Sequence, residues 1–266
     1  MLPVLLSNRT RRPSGTVTPT WFLGALASIS PGNLRALWLP TAADTTTNTS
    51  RSDLRLWTYD ANIAARISVQ GNGVLVSFSG TGQYGSTPDA DDLSFNTGGL
   101  TDLPFSIVAL ANITDSAADR TFLSKWESTG NLLEYTWRIA GTTNLMDFGM
   151  DDASVPQFIR RRSNAAITVG ALHLFGVSYD GGGGATAMNG VTLYEDAAAI
   201  ASTATNSANY VAMENKSHYL ELGAEDTRAG LMNGSMGFVA LYAVALSAAR
   251  HLQVKAAANK FYGTSL

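Results

Sequence analysis

Three observations predict an all-β protein, an antiparallel β-sandwich. Short runs of β-branched and aromatic residues recur along the chain, separated by Gly, Asn, Asp and Pro. Helical segments do not alternate with them, as βαβ units would require. The 266 residues are 45% hydrophobic, enough to build one large core without staples.

The first element is not strand-like. Residues 1–33 hold four of the eight prolines, Pro3, Pro13, Pro19 and Pro31, and a Thr/Ser/Arg-rich stretch from Asn8 to Thr20. Proline removes a backbone donor and blocks regular pairing, so an extended N-terminal arm is expected there. Its apolar stretch Trp21 to Ile29 lies behind Arg11-Arg12, and with Ala25-Leu26-Ala27 it has the outline of an export signal. It is read here as a retained part of the arm.

Residues 34–266 are expected to form the sandwich. Strands are predicted at 34–39, 54–58, 63–69 and 74–78, the last two punctuated by Gly71-Asn72-Gly73. Further strands are predicted at 105–112, 120–125, 134–140, 144–149, 157–161, 166–179, 190–195, 218–223 and 235–242. One helix closes the chain: Ser247 as N-cap, an Ala-rich run from Ala248 to Lys260, and Gly263 as its stop.

Composition excludes several functions. The chain has no cysteine, which removes disulfides, thiolate zinc sites and cysteine nucleophiles. A net charge of −3 and the single short basic run Arg160-Arg161-Arg162 argue against nucleic acid; the run is expected to be a solvated strand end or a contact between subunits. No stretch has the roughly 18 consecutive apolar residues of a membrane span.

Taken together, several segments resemble the laminin-G-like domains of the concanavalin A-like lectin and glucanase superfamily. Residues 76–89, with Phe78-Ser79-Gly80, Tyr84 and Pro88-Asp89, are similar to the family's opening pattern. Residues 105–112 resemble the next strand, Thr121 to Trp126 its lysine-bearing strand, and Tyr135 to Ile139 the pairing partner. His173 to Gly181 resembles the strand that ends Tyr-Asp-Gly, Val191 to Asp196 the one after it, and Leu220 to Gly223 with Met232 to Tyr242 the closing strands. Leu246 to Arg250 resembles the helix start that follows. The match runs over about 74–262 and departs at the glycine insertion Gly181 to Gly184. It implies a jelly-roll sandwich of the concanavalin A-like kind, including members found in bacteriophage virion proteins, and it does not by itself imply a function.

No catalytic centre is expected. Glucanases of this fold use a pair of carboxylates on one strand, and Glu221 and Glu225 share the required parity. The position where those enzymes have an intervening Asp is Gly223. The histidines His173, His218 and His251 form no ligand pair. No cofactor is expected. Calcium is the one metal considered, through Asp89-Asp91-Asp92 or Asp147-Asp151-Asp152, although neither cluster has loop-motif spacing. Aromatic residues able to meet a glycan are Trp57, Tyr84, Trp137 and Tyr210, with Trp126 also considered.

Two functions are therefore expected to compete. One is a non-enzymatic virion protein of a bacteriophage, assembled in the host cytoplasm as a capsid decoration, fibre or tail component. It would form a homo-oligomer, a trimer for example, and would be anchored to other virion proteins through Leu5, Arg11, Arg12, Trp21 and Phe22. The other is a carbohydrate-binding, lectin-like module of a bacterial or cell-surface protein. Both roles are compatible with a host glycan as ligand.

Overall fold

The computed structural model describes residues 17–44, 55, 57–59, 66–98, 100–225 and 229–266. Two antiparallel sheets stack face to face. The first contains β1 (Leu34–Trp38), β3 (Ile67–Gln70), β4 (Gly73–Ser79), β6 (Phe105–Ile113), β11 (Leu172–Tyr179), β12 (Val191–Glu195), β13 (Ala198–Ala199) and β16 (Asn233–Tyr242). Its order is β13-β12-β11-β6-β16-β4-β3. β16 is long enough to pair with both β4 and β1 along one edge while β6 takes the other.

The second sheet contains β2 (Thr58–Tyr59), β5 (Gly85–Thr87), β7 (Arg120–Glu127), β8 (Leu132–Ala140), β9 (Leu145–Asp152), β10 (Gln157–Ser163), β14 (Ser202–Thr205) and β15 (Leu220–Leu222). Its order is β14-β10-β9-β8-β7-β15-β5-β2.

The two sheets differ in sequence pattern because their outer faces are covered differently, the first by apolar helix faces and the second by polar side chains that pair with one another. β6 and β16 read as nearly continuous apolar runs, the signature of a strand covered on both faces. Ile107, Ala109 and Ala111 of β6 point between the sheets, while Val108 and Leu110 point away into a second core. That second core is closed by helices α1 (Pro19–Ile29) and α2 (Ala248–Tyr262). β8 and β9 alternate instead. Tyr135, Trp137, Ile139, Met146, Phe148 and Met150 enter the central core, and polar residues between them face outward.

The expected extended arm does not hold for residues 19–29, which are helical. The prolines bracket the helix rather than forbid it. Thr18 caps it, its hydroxyl accepting from the Trp21 N–H at 3.1 Å, and Pro19 fills the first position, where no donor is missed. Ser30-Pro31-Gly32 then ends it. Phe22, Leu26 and Ile29 fall on one face and are buried. The Phe22 ring stacks on Phe261 at 4.6 Å and meets Phe238 edge-on at 5.1 Å. This part of the arm therefore belongs to the sandwich's own core.

The other expectations are largely met. α2 starts at the Ser247 cap and stops at left-handed Gly263. The strand expected over 166–179 is shorter, because Gly170 turns at φ 83° and pairing begins at Leu172. β5, β13 and β14 were not expected. They are short edge or near-edge strands of two to four residues, too brief to show a period. The strands expected at 54–58 and 63–69 fall partly outside the described residues. No described helix is long and apolar enough to cross a membrane.

Candidate functional site

The helices cover the outer face of the first sheet, which directs attention to the outer face of the second. One row of directly opposed residues crosses all eight of its strands: Thr58, Ser86, Glu221, Ser124, Thr136, Gly149, Arg160 and Thr205. Every member is polar or glycine. A second row runs Thr121, Arg138, Asp147, Arg162, Thr203.

The second row is an ion-pair ladder. Arg162 donates to Asp147 at 2.7 Å, and Arg138 reaches Asp147 at 3.7 Å, Asp119 at 3.2 Å and Glu225 at 2.5 Å. Thr136 also donates to Glu225. These ion pairs tie the strands together and stiffen the face, although Arg138 Nε, Asp147 Oδ1 and Arg162 Nε are left without hydrogen-bond partners.

The neighbouring corner is different. Phe158 on β10 stands directly opposite Asp151 on β9. Its ring leans onto Gly149, where an added β-carbon would meet Phe158 Cε2 at 2.3 Å. That lean carries the ring over β9 and towards Trp126 of β7. The two rings meet edge to face, with centroids 5.5 Å apart and planes at 79°. Phe158 is 40% exposed and Trp126 half-buried, an apolar surface on an otherwise polar face.

Asp151 is only 4% exposed, yet its Oδ1 has no hydrogen-bond partner. Burial, helped by the neighbouring Asp152, pushes its carboxyl up to about 6. A buried carboxyl group without a partner costs stability, and such groups gather at functional sites. Arg160, diagonal to Asp151 across the β9–β10 pair, is half-buried and makes no hydrogen bond or ion pair with any described residue. The site is thus an aromatic pair flanked by an uncommitted carboxyl group and an uncommitted guanidinium.

Most of the aromatic residues proposed from sequence lie elsewhere. Trp57 is 1% exposed and donates to the Leu37 carbonyl. Trp137 is fully buried against Phe122. Tyr210 is buried too, sharing Asp102 with Tyr179 through hydroxyl bonds of 2.9 and 2.7 Å. None of the three can meet a ligand. Tyr84 is half-buried just before β5, away from the Trp126–Phe158 pair. Sequence reading thus missed Phe158 and Gly149, and gave Asp151 and Arg160 other roles, in a calcium cluster and in a solvated or inter-subunit basic run. The signal was the alternation of β10, where buried Ile159 leaves Phe158 and Arg160 facing out.

Of the expected anchoring residues, Phe22 is corrected, being fully buried in its own domain, whereas Trp21 is half-buried with the Lys260 ammonium 4.5 Å over its ring. Leu5, Arg11 and Arg12 lie outside the described residues.

The glucanase-like pair is not assembled. Gly223 bends the chain at φ 73°, and Glu225 is drawn into the bonds with Thr136 and Arg138, while Glu221 stays on β15 with His218 3.7 Å from it. The calcium clusters do not converge either. Asp89 pairs with Lys125, Asp91 with Asn215 and Asp92 with Arg55. Asp147 joins the ion-pair ladder, and Asp152 accepts from Ser154 and Val211. Among the described residues no three His, Asp or Glu side chains are placed to hold a metal.

The remaining histidines are structural. His173 bonds Asp196 at 2.8 Å. His251 lies under Tyr194 and meets Ser178 at 2.9 Å, and burial pushes it down to about 4.

No family model matches the chain. No curated protein matches it either. Solved structures do. The chain is similar to Trypanosoma rangeli sialidase at 11% identity and a TM-score of 0.58, over 89% of this chain and 34% of that one. It is similar to the binding domain of Paraclostridial Mosquitocidal Protein 1 at 10% identity and a TM-score of 0.58, over 88% and 56%. It is also similar to domain 4 of AbnA, a GH43 extracellular arabinanase from Geobacillus stearothermophilus, solved in complex with arabinotriose. There the identity is 11% and the TM-score 0.55, over 84% of this chain and 98% of that one. The chain spans about a third to a half of the sialidase and mosquitocidal-protein chains. At these identities the likeness speaks for the fold, a β-sandwich consistent with the concanavalin A-like kind.

Proposed function

We propose that this chain is a non-catalytic carbohydrate-binding module whose ligand lies on the outer face of the second sheet. The observation that carries the reading is the Trp126–Phe158 pair standing beside the buried, unpartnered Asp151. Sugar rings present apolar C–H faces to aromatic side chains and hydroxyl groups to carboxylates, and this corner offers both. The similarity to an arabinanase domain solved with arabinotriose supports the reading, since almost the whole of that domain is matched.

The competing expectation is a virion component latched on by residues 1–33. Phe22, Leu26 and Ile29 of that segment pack into the domain's own core.

The test is binding to a broad oligosaccharide panel by wild-type protein and by Phe158→Ala. Saturable binding to at least one glycan, lost in the variant while its melting temperature holds, is the expected result. Binding to none, or binding unchanged in Phe158→Ala, contradicts the proposal.

A further inference from the structure

We infer that the ligand is an acidic sugar, a hexuronic acid or similar carboxylate-bearing pyranose, with its carboxylate on Arg160 and a ring hydroxyl on Asp151. The inference rests on the proposed carbohydrate-binding reading and names the substrate class for the same face.

β10 carries three consecutive arginines. Arg161 is spent on Ser202 and the Met188 carbonyl, at 2.7 and 3.2 Å. Arg162 is spent on Asp147. Arg160 alone of the three has no partner among the described residues, although it is half-buried on a face whose other guanidinium groups are all paired.

The register says why Arg160 does not simply close on Asp151. Arg160 is opposite Gly149, and Asp151 is opposite Phe158. The two charged residues are thus diagonal neighbours, with about 7–8 Å expected between such positions. The Phe158 ring, resting on Gly149, stands between them. A pyranose lying against Phe158 would have one of these groups on either side of it.

The chemistry then discriminates. A guanidinium is a planar fork of donors that matches a carboxylate with two parallel bonds. A neutral sugar offers it only single hydroxyl acceptors. Asp151 takes the opposite part, accepting from a ring hydroxyl. One pyranose bearing both groups satisfies both side chains, and a neutral pyranose satisfies one.

The experiment is calorimetric titration of the full chain with oligogalacturonate, oligomannuronate and hyaluronan oligosaccharides, each beside its carboxyl-reduced neutral form, with polyglutamate as a charge control. At least one acidic oligomer should bind roughly ten-fold or more tightly than its reduced form, the gain expected of charged over neutral hydrogen bonds. Arg160→Ala should erase that preference, and Arg160→Lys, which keeps the charge but loses the fork, should restore little of it. Equal affinity for acidic and reduced forms, a preference intact in Arg160→Ala, or comparable binding of polyglutamate overturns the inference while leaving a carbohydrate-binding face. If the acidic and reduced forms of every oligomer fail to bind, and the broad panel fails too, the proposed function falls with it.

Discussion

Phe158 rests on the α-carbon of Gly149 across the β9–β10 pair, so closely that a β-carbon there would lie 2.3 Å from the ring. The absence of a side chain at 149 is what lets an exposed aromatic lie across the sheet and reach Trp126. In Gly149→Ala the ring tip should rotate into solvent, because it is the free end of a side chain already 40% exposed. The expected outcome is a destabilisation of about 1 kcal/mol or less, no more than the centre of the range for single substitutions, with glycan affinity reduced roughly ten-fold, equivalent to about 1.4 kcal/mol. Thermal melts and binding titrations on the same preparation check both halves.

Asp151→Asn should stabilise the protein and weaken its binding. The Asp151 carboxyl is held at about 6 in the fold, above its ordinary 3.8. Between those two values the folded state holds the proton more firmly than the unfolded chain, so stability falls as pH rises through the window. Asn has no such loss. Denaturant unfolding should therefore show the variant gaining about 1–3 kcal/mol on the wild type between pH 3.8 and 6, and keeping the advantage above it. A variant less stable at pH 7 would contradict this.

His251 has the opposite sign. Burial lowers it from 6.5 to about 4, so the unfolded chain takes up its proton first. The stability that neutral His251 permits is present above pH 6.5 and is lost as pH falls towards 4. The loss should total about 2–3 kcal/mol at acid pH. In His251→Gln, which keeps a polar group near Ser178, this part of the acid limb should flatten in urea unfolding followed against pH.

Phe22→Ala tests whether the helix before β1 is part of the domain. Phe22 is fully buried among Phe238, Phe261 and Tyr262. Its removal should cost about 3–5 kcal/mol, the usual range for a buried aromatic cut to alanine. A detachable anchor would instead lose under about 0.5 kcal/mol. Denaturant unfolding separates the two.

The fold was legible where strands are long and their pattern reflects burial. The apolar runs of β6 and β16 and the alternation of β8 and β9 could be read directly. α1 was not, because proline content was weighed without position: Pro19 and Pro31 sit just inside the start and just past the end of a helix. The site was less legible. Choosing aromatics by type selected the core residues Trp57, Trp137 and Tyr210 together with half-buried Tyr84 and Trp126, of which only Trp126 is in the site. Parity would have excluded Trp137, whose neighbours Thr136 and Arg138 face out. Asp151 and Arg160 stood out in the sequence only as members of an acidic cluster and a basic run; that neither has a partner is visible only once the register is set.

On the proposed function, the outer face around Phe158 binds sugar. The direct measurement is a two-dimensional amide NMR titration of isotopically labelled protein with the tightest-binding oligosaccharide of the panel. Saturable shifts should concentrate at Trp126, Thr136, Gly149, Asp151, Phe158 and Arg160, and should vanish in Phe158→Ala. Shifts confined to any other surface, or no saturable shifts at all, would mean that the face around Phe158 does not bind sugar.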